Sequence, residues 1–410
     1  MEQVLATPVG IPVSTVTPLK RATYRIDSID LLRGLVMIIM ALDHTRDFFH
    51  SQAMMDDPLN MATTTPLLYF TRWITHFCAP IFVFLAGTSA YLQSLRKPKK
   101  ELSLFLIKRG LWLVAVEVFL VTFGIFFDIN FGVILLQTIW AIAISMILLG
   151  LAIWMPFTAI LVIGLVIVFG HNLLDFYEAG RQDGYSVFYN FLHRPGGFTL
   201  WGGRHVEIAY PFLSWAGLMM LGYCLGRVFH TLQGTKRKKV LTGMGLAAIF
   251  LFVAIRATNA YGDPDDWSTQ RDGLFTFLSF MNVHKYPPSL LYMLITIGPA
   301  LLFLAWAGNS KTKLAKIITV YGRVPFFYYV LHFYLLHIIT AVFFLARGHS
   351  FAEGASGVPG FPFKFLVPGE GYPLWVVYLV WISSVALLYP VCKWFSEYKK
   401  THSQWWLSYL

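Results

Sequence analysis

Apolar runs recur along the whole chain, and their lengths set its architecture. They fall at about 31–49, 67–93, 105–125, 132–152, 156–173, 210–231, 240–258, 288–307, 320–346 and 374–392. A helix needs roughly 17–25 mainly apolar residues to cross the ~30 Å hydrocarbon core of a bilayer. The pattern predicts an all-α fold, a polytopic membrane helix bundle of about ten transmembrane helices. A Pro/Thr/Val-rich stretch over 1–24 reads as a disordered cytoplasmic tail. A membrane domain over 25–395 follows, then a short cytoplasmic C-terminal tail over 396–410.

The connections give the orientation. Short basic links follow the second, sixth and eighth runs, marked by Arg96, Lys97, Lys99 and Lys100, by the run Thr235 to Lys239, and by Lys311, Lys313 and Lys316. Long mixed links occupy 174–209, 259–287 and 347–373. Cytoplasmic loops carry the excess of Lys and Arg, and this assignment puts about two-thirds of them inside. An even number of crossings leaves both termini cytoplasmic, in a multi-pass protein of the plasma (inner) membrane. Met1 to Pro18 lacks the basic start and apolar run of a cleavable signal peptide.

Composition agrees: 57% of residues are hydrophobic and 13% charged, where soluble domains run nearer half and a quarter. The net charge of +11 would suit nucleic acid, but the cations sit in clusters between apolar runs, so the expected partner is the lipid bilayer and no nucleic acid is expected. Cys78, Cys224 and Cys392 lie in apolar runs and suit packing better than a disulfide or zinc set. Phosphate-loop, HExxH, CxxC and GxSxG patterns are missing, and no metal site is expected.

The first run is unusual. Arg25 to His50 reads RIDSIDLLRGLVMIIMALDHTRDFFH, apolar from Leu31 to Leu42 with ionisable groups at both ends. A charged residue at a helix centre costs roughly 2.5–3.5 kcal/mol to insert, so intramembrane ionisable groups point to function. Asp43, Asp47 and His50 share a helical face, and Asp30 and Arg33 are three apart. In the second run Arg72 and His76 are four apart. Pro80 frees a backbone carbonyl near residue 76, and Gly87, Thr88 and Ser89 suit close helix contact. In the ninth run His332 sits near mid-helix with Tyr328 and Tyr329 a turn before it, and Arg323 stands at the inner end. His337 faces elsewhere.

Several of these stretches resemble one family. Ser28-Ile29-Asp30 with Arg33-Gly34, then Asp43-His44-Thr45-Arg46-Asp47, resembles bacterial members of the heparan-α-glucosaminide N-acetyltransferase catalytic-domain-like family. So do Pro80, Phe82-Val83-Phe84 and Gly87-Thr88-Ser89, Lys285-Tyr286-Pro287-Pro288-Ser289, and Gly322-Arg323-Val324-Pro325 through His332. The similarity covers about 25–390. It implies a membrane acyltransferase that takes an acetyl or other acyl group from cytoplasmic acyl-CoA and delivers it to an amino or hydroxyl group of a sugar or glycan on the outer side. It also implies a central histidine just after the first span.

Residue chemistry fits that expectation. Acyl transfer needs a general base; His44 and His50 both stand for it, with Asp43 or Asp47 orienting the ring. The tetrahedral oxyanion needs donors, for which Arg46, Arg72 and His76 are candidates, with His332 and Lys285 as further substrate-binding residues. Arg33 and Arg323 suit the phosphates of acetyl-CoA or another acyl-CoA. A homodimer is compatible with the sequence. Two other functions stay open: a proton-coupled transporter or flippase, and a non-catalytic membrane scaffold.

Overall fold

The computed structural model describes residues 26–181, 184–308 and 312–409; the expected tail over 1–24 lies outside them. The chain opens with helices α1 (Asp27–Phe49), α2 (Pro66–Trp73), α3 (Cys78–Ser94), α4 (Lys99–Val116) and α5 (Thr122–Phe126). Strand β1 (Val133–Leu136) leads into α6 (Thr138–Ala152) and α7 (Phe157–Gly170). A mixed segment holds α8 (Leu173–Glu178), α9 (Val187–Leu192), β2 (Gly196–Thr199) and β3 (His205–Ile208). Then come α10 (Phe212–Thr231), α11 (Gly234–Arg256), α12 (Gly273–Met281) and α13 (Leu290–Trp306). The chain closes with α14 (Lys313–Arg323), α15 (Pro325–Ala346), α16 (Phe351–Ser356) and α17 (Leu374–Thr401).

The fold is mainly helical and membrane-embedded. Five helical stretches are long and apolar enough to cross a bilayer: Pro66–Ser94, Phe212–Thr231, Gly234–Arg256, Pro325–Ala346 and Leu374–Thr401. Thr138–Ala152, Phe157–Gly170 and Leu290–Trp306 are apolar but shorter. Length and apolarity thus support five crossings outright among the described residues, fewer than the ten expected. The helix α1 has 23 residues, but Asp27, Asp30, Arg33, Asp43, Arg46 and Asp47 punctuate it.

Three expectations are corrected. The all-α class misses a small sheet in the order β1-β3-β2, with β1 parallel and β2 antiparallel to β3. Val133–Leu136 was expected to open the fourth span; a short apolar run has no periodicity that separates strand from helix, and its partner β3 lies in what read as a polar link. The ninth run is two helices, because Pro325 has no N–H to continue α14 and instead opens α15. The last helix continues past the expected end at 392 to Thr401.

The helix α1 packs against α3, α13, α14, α15 and α17 and is buried along most of its length. Asp27 and Asp30 in its first turn favour the helix dipole. Its contact with α14 depends on two glycines: a Cβ on Gly34 would lie 1.9 Å from the Ile318 carbonyl oxygen, and one on Gly322 would lie 1.8 Å from that of Asp30. The pair α3 and α10 meets the same way. Gly87 faces the Met219 carbonyl and Gly222 that of Phe84, each with 2.0 Å for an added Cβ, while the Thr88 hydroxyl donates to the Gly222 carbonyl at 3.0 Å. Small residues let membrane helices approach to backbone contact.

Pro80 acts as its chemistry requires. A 3₁₀ turn, Ile74–Phe77, joins α2 to α3, and the His76 carbonyl, which Pro80 cannot serve, accepts from the Tyr292 hydroxyl at 2.8 Å. Gly222→Val should destabilise the protein by about 3 kcal/mol, since backbone cannot yield to an added side chain. Gly243→Ala, where nothing lies within 4 Å of an added Cβ, should not. Thermal midpoints of the two variants in detergent check this.

Candidate active site

Two cavities lie along one face of α1. The larger, about 510 Å³, takes Asp30, Arg33 and Met37 from α1; the smaller, about 170 Å³, takes Met40, Asp43, His44 and Asp47. Spacings of three and four put Asp30, Arg33, Met37, Met40, His44 and Asp47 on one side of the helix, and Asp43, Arg46 and Phe48 widen the lining of the smaller cavity. Phe82 of α3 and Thr138 of α6 line both cavities, so the two adjoin across these residues. On α15 Tyr329 belongs to the larger and Phe333, a turn on, to the smaller.

The larger cavity is cationic. Arg33, Arg96, Arg109, Arg323 and Lys399 line it, against the single carboxylate of Asp30. Arg33 is held by the Leu85 carbonyl at 2.8 Å and by the Ser89 hydroxyl, with Asp30 at 3.9 Å. The Nε of Arg323 has no hydrogen-bond partner. The sequence singled out Arg33 and Arg323 for a phosphate-bearing ligand, and the fold brings them together. It did not single out Arg109 or Lys399. A signal existed for Arg109, which stands inside the apolar stretch from Leu102 to Val116 as a charge at membrane depth.

The smaller cavity holds a buried ion cluster. Asp43 pairs with Arg72 at 2.5 Å and Arg46 at 3.2 Å, Arg46 pairs with Asp47 at 2.6 Å, and the Lys285 ammonium stands 3.9 Å from Asp43. Each charge faces an opposite one, as buried charges must, while the Nε of Arg46 has no hydrogen-bond partner.

His44 lies beside this cluster. Its Nδ1 is 2.6 Å from Nε2 of His332, and its ring stacks on Phe333 with centroids 4.3 Å apart. Two neutral imidazoles share one proton across such a contact. Among the described residues no hydrogen bond engages Nε2 of His44, which lines the smaller cavity. The expected carboxylate partner for His44 is replaced by His332: Asp43 is the adjacent residue, about 100° round the helix, and it faces the arginines instead.

Other expected residues lie apart. His50 pairs in a bridge with Tyr372 and accepts from the Gln52 amide at 3.3 Å, lining neither cavity. His76 is buried against Tyr292, its two ring nitrogens without partners, and also lines neither; the 3₁₀ turn between Arg72 and His76 separates the faces that a regular helix would align. His337 donates its Nε2 proton to the Lys364 carbonyl at 2.8 Å and stacks on Phe127 at 3.8 Å, a packing role. Gln137 and Tyr210 line the smaller cavity and were not anticipated, and Tyr286, expected only as part of a motif, lines it too.

Glu178 accepts from Tyr189 at 2.9 Å and Arg194 at 3.1 Å and bonds His193 at 2.7 Å. Asp175, Glu178 and His193 place metal-ligand-type atoms within 4.8 Å of one another, the one such group among the described residues. Closer to the cavity, His284 bonds the Asp265 carboxylate through Nδ1 at 2.6 Å and the Tyr286 carbonyl through Nε2 at 2.8 Å. Both partners are acceptors, so both ring nitrogens donate and the ring is imidazolium. Burial opposes that charge, but Asp265 outweighs it and raises the His284 pKa above 6.5. His284 thereby holds its neighbours Lys285 and Tyr286 in the cavity wall.

A family model described as heparan-alpha-glucosaminide N-acetyltransferase, catalytic, matches residues 25–257, more than half of the chain. The chain belongs to this family. A comparison with individually curated proteins finds no match. The family match includes α1, α2, α3 and α6, hence His44, Arg72 and both shared wall residues. It stops before Lys285, Arg323 and His332, short of the expected reach to about 390. Those three join the family-matched helices through space. The family and the apolar helices together make this a membrane acetyltransferase-like protein.

A raised folded-state pKa gives stability that is fully present below the unfolded value near 6.5 and lost as pH rises through the folded pKa. The thermal midpoint of wild type should therefore exceed that of His284→Gln most at pH 6 and below. The gap should narrow as pH rises. A gap that widens with pH would mean that His284 is held neutral.

Proposed function

We propose that this protein transfers an acetyl or other acyl group from acyl-CoA, bound in the larger cavity, to an amino or hydroxyl group of a sugar or glycan in the smaller one. The observation that carries this is the pair of cavities adjoining across Phe82 and Thr138, one lined with cations and the other with His44. A volume of about 510 Å³ is within the range of small-molecule sites. The cations Arg33, Arg96, Arg109, Arg323 and Lys399 suit the CoA phosphates. Arg33 to His44 is about 16 Å along the axis of α1, a gap that the narrow pantetheine arm bridges with the thioester leading.

His44 is the general base. The acceptor nitrogen or oxygen attacks the thioester carbon while Nε2 of His44 takes its proton. The adduct collapses, the carbon–sulfur bond breaks, and CoA leaves as thiolate, which the proton on His44 then neutralises. His332 keeps the imidazole oriented through Nδ1. In this scheme the basic end faces the cytoplasm, where CoA resides, and the loops around Glu178 and His284 face out. Ten crossings of the plasma (inner) membrane put both termini inside.

Purified protein in detergent should turn over acetyl-CoA with at least one member of a panel of amino and hydroxyl sugars. Calorimetry should show Arg323→Ala weakening acetyl-CoA binding about tenfold, the loss of one charge-assisted contact. His44→Ala should leave that affinity within about twofold and cut turnover roughly 10²–10⁴-fold. Wild type that fails to bind CoA would sink the proposal in favour of a proton-coupled transporter.

Orientation is tested separately. In protein freed of Cys78, Cys224 and Cys392, a cysteine returned at 97 or 237 should be labelled from the cytoplasm only, and one at 265 or 355 from outside only. Outside labelling at 237 would overturn the ten-span topology.

A further inference from the structure

We infer that Gln137 is the oxyanion donor of the acyl-transfer step and that Glu117 is the residue that positions it. The inference rests on the acyl-transfer function proposed above.

Glu117 is fully buried, 0% exposed, at membrane depth. A carboxyl there is costly and calls for a reason. It opens a π turn, Glu117–Val121, that interrupts the helix between α4 and α5. Such turns insert one extra residue, redirect the side chains around them and recur at functional sites. The Glu117 carbonyl accepts from the Thr122 backbone N–H and, at 3.0 Å, from its hydroxyl, so the bulge is stitched in place. The side chain crosses to the start of α6, where its Oε1 accepts the Gln137 backbone N–H at 2.7 Å. Its Oε2 has no hydrogen-bond partner.

Gln137 joins β1 to α6 with φ −123° and ψ −134°, outside both flanking elements. Its carbonyl caps α6 by accepting the Ala141 N–H at 2.9 Å, and its own N–H is held by Glu117. The side chain lines the smaller cavity with His44, and its Nε2, buried from solvent, makes no hydrogen bond. The next residue, Thr138, lies where the two cavities adjoin, the point through which a thioester passes to reach His44. The arginines expected for the oxyanion, Arg46 and Arg72, are engaged by Asp43 and Asp47. Gln137 offers a neutral N–H donor that adds no positive charge beside a base that must accept a proton.

When the acceptor adds to the thioester carbon, the carbonyl π pair moves onto oxygen. The Gln137 amide donates to that oxyanion. Collapse returns the pair to the carbonyl and expels the thiolate. A donor made ready for the adduct more than for the flat thioester lowers the barrier and leaves ground-state binding alone.

The test is single-turnover transfer from acetyl-CoA to the best acceptor of the sugar panel. Gln137→Ala, and isosteric Gln137→Glu, which replaces the donor with an acceptor, should slow the transfer step about 10²–10³-fold. Acetyl-CoA affinity and acceptor KM should stay within about twofold. Glu117→Leu, which removes the acceptor of the Gln137 N–H, should slow the same step in otherwise wild-type protein but add nothing in the Gln137→Ala background, because it acts through a group already removed. Glu117→Gln, whose amide oxygen still accepts that N–H, should transfer within threefold of wild type. Transfer within threefold of wild type in Gln137→Ala overturns the donor role. Additive losses in the double variant overturn the positioning role of Glu117. Wild type inactive on every acceptor overturns the acyl-transfer function itself, and the oxyanion assignment with it.

Discussion

The buried carboxylate of Asp43 is the constraint on which this structure turns. A single charge near the far end of α1 obliges the protein to bring cations to it. It takes Arg46 from its own helix, Arg72 from α2 and Lys285 from the segment before α13. Removing one partner from a buried pair typically costs about 3–5 kcal/mol, so these elements are tied to α1 at this point. The tie leaves the α1 face with Met40, His44 and Asp47 turned toward a common cavity. It also explains why His44 finds its partner elsewhere: the carboxylates near it are already satisfied.

The pairing of His44 with His332 follows. A second imidazole orients the His44 ring without adding fixed charge beside the ion cluster. The aromatic packing of Phe333 and Tyr329 around the pair restricts the ring further. The doubly hydrogen-bonded His284 ties the Lys285–Tyr286 wall to Asp265.

Charge separates the two cavities more sharply than shape does. Arginines and one lysine surround the larger, while opposed charges nearly cancel in the smaller. The larger cavity is therefore the more favourable of the two for anionic groups. Glycines at the contacts of α1 with α14 and of α3 with α10 keep the cavity walls at backbone distance, so a single added methyl is felt at the site.

The sequence by itself determined what depends on local chemistry. Apolar runs dictated a membrane helix bundle, because backbone buried in lipid must satisfy itself. Ionisable residues within Arg25 to His50 marked the site helix, because such charges are too costly to keep without use. Pro80 predicted the carbonyl that Tyr292 now occupies, and Gly87 to Ser89 the close helix contact. Motif resemblance supplied the family. Only the tertiary structure decided which groups meet. His44 and His332 are 288 positions apart, and no helical spacing relates them. The same holds for Glu117 with Gln137 and for β1 with β3, whose partners come from other elements. His50 and Asp47 are equally plausible on a helical wheel, yet the end of α1 turns His50 toward a loop and keeps Asp47 in the cavity. Periodicity fixes the face of one helix; which face of another meets it depends on packing, glycine contacts and charge neutralisation, which act between segments.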